Sequence, residues 1–376
     1  MEGAAEARLI VAASEADANL YYATGFLAPD PFVFLWHAEE KLLLMSDLER
    51  DRAKGQARVN AVLSLTEYEE RARRSGIERP KLSDSIVEWL RERGVSRVTV
   101  PANFPLEHAD KLRARGIGVA AKPQPFFEER LTKRPDEVRA IEHALARTEA
   151  ALERAIGMIR EASIRDGRLW SGGEVLTSEG VKRLLASSLL EDGLLAQHTI
   201  VACGEDACDP HREGSGPLLP NQPIILDVFP RDSTSQYFAD ITRTVVKGRA
   251  SERLRPMYEA VEKSQARALA LIRAGAEGDA IHREVQQVME NRGFTTGQVN
   301  GRLQGFFHGT GHGLGLEIHE LPRISKQPAT LRAGNVVTVE PGLYYPQVGG
   351  VRLEDVVVVT ETGCRNLTHF PKDLEV

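Results

Sequence analysis

Asp227, Asp240, His312, Glu340 and Glu354 are the side chains of this sequence whose types and settings could do chemistry together. Asp227 closes the apolar run Pro223-Ile224-Ile225-Leu226, and Asp240 opens Ile241-Thr242-Arg243-Thr244-Val245-Val246. His312 lies in the glycine-rich loop His308-Gly309-Thr310-Gly311-His312-Gly313-Leu314-Gly315. Glu340 ends Val336-Val337-Thr338-Val339 and precedes Pro341-Gly342, and Glu354 heads Asp355-Val356-Val357-Val358-Val359. Four carboxylates and one imidazole make an oxygen-rich donor set. Such a set suits two hard or borderline divalent ions better than one structural zinc. Carboxylates crowded together without cations raise one another's pKa, and two divalent ions supply about the needed neutralising charge. Ions roughly 3.5–4 Å apart can share a hydroxide and clamp a reacting carbonyl. Taken singly, each residue has an ordinary reading: an Asp after a strand is a turn former or N-cap, and a Glu before Pro-Gly is a surface turn residue. The signal is their combination, reinforced by His308, His312 and His319 falling within twelve residues alongside four glycines.

These residues need elements to place them. The strand-like runs are Thr199–Cys203, Ile224–Phe229, Thr242–Lys247, Val336–Val339 and Asp355–Thr360. Pro135-Asp136-Glu137 starts a long helix to about Glu161, with proline in the first turn and acids at the positive dipole end. Ile141, Leu145, Leu152, Ile156 and Ile159 keep helical spacing. A second long helix runs from near Glu252 to about Ala274. Each long helix is followed by another helix and then strands, a loose internal duplication. The architecture expected is a sheet with helices on one face and a site on the other. The first 125 residues read as a separate α/β domain with strands at Leu9–Ala13, Phe32–Trp36, Lys41–Ser46 and Arg97–Val100. Ser83-Asp84-Ser85 is expected to cap a helix to about Arg93. Lys122-Pro123-Gln124-Pro125 reads as a linker, giving domains 1–125 and 126–376.

Composition narrows the class. The chain has 376 residues, 42% hydrophobic and 27% charged, as in an ordinary globular protein of about two domains. A net charge of −6 and a pI near 6.0 offer no basic face for nucleic acid or acidic lipid. No apolar stretch approaches the roughly 20 residues that span a bilayer. The acidic opening Met1-Glu2-Gly3-Ala4-Ala5-Glu6 lacks the pattern of a secretory signal. Cys203, Cys208 and Cys364 are an odd set with no disulfide framework. A cytoplasmic location is expected from these features.

Leu226-Asp227 through Asp240-Ile241-Thr242-Arg243-Thr244 resembles the first two ligand blocks of the pita-bread metallopeptidases. His308-Gly-Thr-Gly-His312-Gly-Leu-Gly-Leu-Glu-Ile-His319-Glu320 resembles their histidine block. Val339-Glu340-Pro341-Gly342-Leu343-Tyr344 and Gly350-Val351-Arg352-Leu353-Glu354-Asp355 resemble the last two. The resemblance covers about residues 130–370, and Asn19-Leu20-Tyr21-Tyr22-Ala23-Thr24-Gly25-Phe26 is similar to the creatinase-like N-terminal domain. The fold implied is α+β: that α/β N-terminal domain, then a pita-bread catalytic domain with pseudo-duplicated halves of helix pair and sheet. The branch implied is that of the Xaa-Pro peptidases, since methionine aminopeptidases share the catalytic fold but lack such an N-terminal domain.

The resemblance implies roles. Asp227 would chelate one metal, Asp240 and Glu354 would bridge both, and His312 and Glu340 would hold the second. Glu340 would also carry the proton. His308 and His319 would contact the substrate and its developing oxyanion, and His211, in Asp209-Pro210-His211, would sit at the substrate end. Arg352 would orient Glu354 from behind. Arg323 is a candidate for a substrate carboxylate, with a solvated arginine as the plainer reading. The ions implied are two divalent metals, Mn2+ first, with Co2+ or Zn2+ able to substitute. The reaction implied is hydrolysis of Xaa-Pro bonds by a hydroxide bridging the two metals, in a homodimer acting on short proline-containing peptides. The compact chain favours Xaa-Pro dipeptidase (prolidase) over the longer Xaa-Pro aminopeptidases (aminopeptidase P). A metal-free creatinase-like hydrolase or a non-catalytic binding module is expected to have lost ligands, and none is lost here.

The stretch between Asp227 and Asp240 is slightly longer than in many relatives. Pro230-Arg231-Asp232-Ser233 reads as the turn of a lengthened hairpin, with Arg231 and Asp232 solvated. Cys203 and Cys208 with His198 and His211 lack zinc-knuckle spacing and read as neutral thiols. Gly313-Leu-Gly-Leu lacks the strand-before, helix-after setting of a nucleotide fingerprint. Arg50–Lys54 and Arg71–Arg74 read as solvated surface.

Overall fold

A computed structural model describes residues 7–376, and the contacts divide the chain into two units, Met1–Arg130 and Leu131–Val376. The opening residues read above for a secretory signal lie outside the described residues.

In the first unit a six-stranded sheet runs in the order Ala61–Ser64, Glu40–Met45, Phe32–His37, Ala7–Ala12, Arg97–Pro101, Gly118–Lys122. Phe32–His37 is antiparallel to both its neighbours, and the other three pairs are parallel. Side chains alternate faces along a strand. Leu9, Val33 and Leu35 therefore join Trp89 and Leu90 in one core, while Ile10, Phe32 and Phe34 join Phe26, Phe126 and Phe127 in another. Burial on both faces explains why these strands read as unbroken apolar runs. The helix expected to be capped at Ser83–Ser85 spans Leu82–Glu92 instead. Asp84 caps it from inside the first turn, accepting the Lys81 N–H at 2.9 Å, and the Ser83 hydroxyl turns to His108 at 2.8 Å.

In the second unit the helix Pro135–Glu161 buries Ile141, Leu145, Leu152, Ile156 and Ile159. The second long helix is shorter than its pattern suggested, Leu254–Leu271, and ends where Ile272 turns extended. The helices Ser178–Glu191 and Gly278–Glu290 complete the two pairs, although three short strands separate the first pair. One sheet orders Ile200–Cys203, Ile224–Val228 and Ile241–Val245. The other orders Glu320–Ile324, Gly311–Gly313, Val336–Val339, Asp355–Val359 and Cys364–Asn366. The later helix pair packs Leu254, Met257, Val261, Ile281 and Val285 against Val337, Val339, Val357 and Val359. No helix among the described residues is long and apolar enough to cross a membrane.

The loop between Asp227 and Asp240 corrects the sequence reading. Arg231–Asp232 pairs with Leu194–Leu195, and the turn lies further on. Asp232 is 5% exposed rather than solvated. One of its oxygens accepts the N–H groups of Thr234 and Ser235 at 2.8 Å each, and the other is paired with Arg147. Burial of this carboxylate is offset by those partners.

Candidate metal centre

Strand pairing brings the five donor residues into one cavity. Asp227 sits opposite Thr242 in the antiparallel pair of Ile224–Val228 and Ile241–Val245. Val336–Val339 pairs with Asp355–Val359 so that Val339 faces Asp355, which leaves Glu340 and Glu354 just beyond the end of one ladder. A buried amide fixes that end: Gln265 Nε2 donates to the carbonyls of Val339, at 2.9 Å, and Leu353, at 3.2 Å, the residues preceding the two glutamates. The Glu340 N–H donates to Thr310 O at 2.7 Å and the Glu354 N–H to Thr242 O at 3.1 Å.

His312 lies on a short strand, Gly311–Gly313, rather than in an irregular loop. The glycines allow close strand packing, since a Cβ on Gly311 would lie 1.9 Å from Thr338 O. His312 receives its own fixing contacts: its N–H donates to Thr338 Oγ1 at 3.1 Å, and Nδ1 meets Gly313 O at 3.1 Å. That contact assigns the ring proton to Nδ1 and leaves the Nε2 lone pair facing the carboxylates. Nε2 is 3.4 Å from Glu340 Oε1 and 3.7 Å from Asp240 Oδ2. Donor atoms of Asp240, His312 and Glu354 all lie within 4.8 Å of one another. Asp227 is partly buried in the same cavity and is held by Arg352, whose Nη2 donates to its Oδ2 at 2.7 Å.

The electrostatics of the cluster disfavour ionised carboxylates. Burial, then Glu354 and Asp227, hold the Asp240 carboxyl well above the usual range. Burial, then Glu340 and Asp227, do the same to Glu354. Burial pushes Glu340 up to about 7, with Arg352 opposing and Asp227 adding to the rise. Burial and then His319 hold His312 down to about 3, so its imidazole is neutral. A neutral imidazole among carboxylates that resist ionisation is the donor chemistry that divalent cations satisfy.

The other predicted residues divide. Arg352 reaches beyond its expected role. It donates through Nη1 to Tyr344 Oη at 2.9 Å and through Nε to Thr242 Oγ1 at 3.3 Å, besides holding Asp227. Thr242 in turn donates to Glu354 Oε2 at 2.8 Å, so Arg352 acts on Glu354 through that hydroxyl. His308 is more constrained than its expected part in an oxyanion contact. Nδ1 meets Gly309 O at 2.8 Å and Nε2 meets Tyr344 Oη at 2.9 Å, which leaves no free N–H for a substrate in this arrangement. His319 is exposed at the cavity, its ring edge-on to His312 with centroids 4.4 Å apart. His211 and Arg323 are exposed along the same wall, and Arg323 faces His312 across the strand pair without an ion pair among the described residues. The cavity encloses about 820 Å³, and Ile200, Pro210, Phe229, Phe307 and Ile318 supply its apolar lining. Burial pushes the thiols of Cys203 and Cys208 up to about 11, so both are neutral and unbridged.

Sequence reasoning missed Thr242, Gln265, Thr338 and Tyr344. Thr242 and Thr244 alternate along the strand after Asp240, a pattern that a site-facing edge would produce. Gln265 had no local signal, because a glutamine in a helix is usually solvated.

Residues 139–361 match the family described as metallopeptidase family M24, and residues 3–125 match the Creatinase/Prolidase N-terminal domain. The chain belongs to the M24 metallopeptidases. The expected fold holds: a creatinase-type N-terminal domain and a pita-bread domain. This M24 chain is 40% identical to an uncharacterized peptidase, YqhT, of Bacillus subtilis (strain 168), over 46% of this chain and 47% of that protein. It is 28% identical to a Xaa-Pro dipeptidase of Pyrococcus furiosus over 95% of this chain and 92% of that one. The crystal structure of a prolidase from Pyrococcus horikoshii OT3 superposes with a TM-score of 0.80 at 25% identity, covering 98% and 95% of the two chains.

Proposed function

We propose that this metallopeptidase hydrolyses Xaa-Pro dipeptides, as a prolidase, with Asp227, Asp240, His312, Glu340 and Glu354 holding two divalent ions. The observation that carries the reading is the convergence of Asp240 and Glu340 on the bare Nε2 of His312, with Glu354 beside them. The names borne by the Pyrococcus relatives favour the dipeptidase reading. Asp227, Asp240, His312, Glu340 and Glu354 would hold the ions between them, with the paired carboxylates supplying most of the negative charge. Oxygen donors with a single imidazole favour manganese, with cobalt or zinc able to replace it. When bound, the ions supply Lewis acidity and neutralise the carboxylates.

The chain's own groups do the rest. Glu340 is the most open of the three converging carboxylates, 20% exposed against 6% for Asp240, so it can pass a proton from the attacking water to the proline nitrogen. His319, with no hydrogen bond to the protein among the described residues, offers its N–H to the carbonyl oxygen as charge develops. His308 fixes the wall through Tyr344, and His211 borders the substrate end. Arg323 meets the terminal carboxylate of a dipeptide, a contact that a longer peptide moves out of place. A cytoplasmic homodimer is the assembly we put forward. Unbridged cysteines fit a reducing compartment, and light scattering checks the dimer.

The deciding experiment measures bound metal and compares hydrolysis of Ala-Pro with Ala-Pro-Ala. Two ions per chain and cleavage of Ala-Pro are expected. Cleavage of the tripeptide alone would make the enzyme an aminopeptidase P, and two ions with no cleavage would leave a binding module.

A further inference from the structure

Next to the site lies a buried charge pair that metal binding does not use. Lys133 Nζ and Glu320 Oε2 are 2.7 Å apart, with side chains 3% and 6% exposed. The pair has company. The other carboxylate oxygen of Glu320 accepts the N–H groups of Leu316, at 3.0 Å, and Glu317, at 3.1 Å. Gly315 completes the turn: its carbonyl accepts the Phe238 N–H at 2.9 Å. A Cβ on Gly315 would lie 2.8 and 2.9 Å from the two Glu320 oxygens and 2.9 Å from Lys133 Cε. The carboxylate thus occupies the space that a side chain at 315 would need. Lys133 is itself anchored, its N–H donating to Gly334 O at 2.7 Å just before the helix Pro135–Glu161.

The loop so tied is Gly315–Glu320, and it carries His319, whose ring stands against His312. Its tie through Phe238 falls two residues before Asp240. Burying an ion pair is costly unless the geometry and extra hydrogen bonds compensate, and removing one partner alone is worse.

We propose that Glu320, clamped by Lys133, is a positioning residue that sets the reach of His319 over the substrate carbonyl. This rests on the reading of His319 as the oxyanion donor. Glu320 touches no substrate. It acts by fixing the backbone of the loop, and a displacement of about 1 Å at a reacting centre can cost about 100-fold in rate.

The test is a double-mutant cycle on the metal-loaded full chain, joined to amide hydrogen exchange. Glu320→Gln removes the charge on the clamp, and Lys133→Met with Glu320→Leu removes charge and acceptor together without stranding a buried ion. We expect either change to lower kcat on Ala-Pro by about 10- to 100-fold, with KM and bound metal near wild type, and to speed exchange at Leu316 and Glu317. In a His319→Ala background the same changes should lower kcat less than twofold. An equal loss in both backgrounds, loss that follows metal content, or wild-type kcat in the folded Lys133→Met/Glu320→Leu variant would overturn the proposal. Wild-type kcat in His319→Ala alone would instead remove the donor reading, while the exchange data would still report whether the clamp orders the loop.

Discussion

The carboxylate cluster makes a prediction of opposite sign for the metal-free and the metal-loaded protein. Consider Glu340→Gln, which keeps the shape and removes the charge. Burial lifts the Glu340 carboxyl from the ordinary 4.5 to about 7 in the folded chain. The difference is about 2.5 pH units, and at about 1.36 kcal/mol each it costs the folded state about 3 kcal/mol once the group ionises. The folded value is raised, so the sign is that of a destabilising charge. The cost is absent below about pH 4.5, grows as pH rises towards 7 and is complete above it. In chelator, Glu340→Gln should therefore be more stable than wild type at pH 8 and equal to it at pH 4.5. At roughly 2–4 °C per kcal/mol for a domain of this size, the gain in Tm is about 6–12 °C. With manganese present the order should reverse, because the variant lacks a ligand, and Ala-Pro hydrolysis should fall by at least about 1000-fold. Differential scanning calorimetry at the two pH values, with and without chelator, reads all four states. A chelated variant less stable than wild type at pH 8, or a gain of the same size at pH 4.5, would refute the argument that desolvated carboxylates await cations here.

Further outcomes follow from single contacts. His319→Ala should lower kcat by about 100- to 1000-fold with metal content unchanged, as expected of one oxyanion donor and measured by steady-state kinetics with metal analysis. Arg323→Met should raise KM for Ala-Pro by about 10- to 100-fold while leaving Ala-Pro amide unaffected, since a charged hydrogen bond contributes about 1.5–3 kcal/mol. Gly311→Ala places a methyl 1.9 Å from Thr338 O and should lower Tm and bound metal together, with overpacking costing about 1–3 kcal/mol or more.

Much of the fold was legible because local and tertiary signals agree. The helix Pro135–Glu161 has its proline, its acids and its apolar stripe in register with what it buries. The Val336–Val339 and Asp355–Val359 runs read as strands because both faces are covered. Residue types and contexts pointed to Asp227, Asp240, His312, Glu340 and Glu354, and the cavity that holds them is a consequence of ladder registers that no local window contains. What stayed hidden was non-local pairing. Asp232 read as solvated because its partner, Arg147, lies 85 positions away. Arg243 is 2% exposed and donates to Glu354 O, Asp355 and two carbonyls near the C-terminus, none of them visible from an arginine in a strand. The engagement of both His308 nitrogens likewise depends on Tyr344, 36 residues on.

Gln265 ties the later helix pair to the strand ends that carry Glu340 and Glu354 without lining the cavity itself. One primary amide holds together the two backbones that lead into Glu340 and Glu354. A fluctuation that lifts the helix Leu254–Leu271 would free both strand ends at once, so on the proposed ligand set melting of that helix and loss of added metal should coincide.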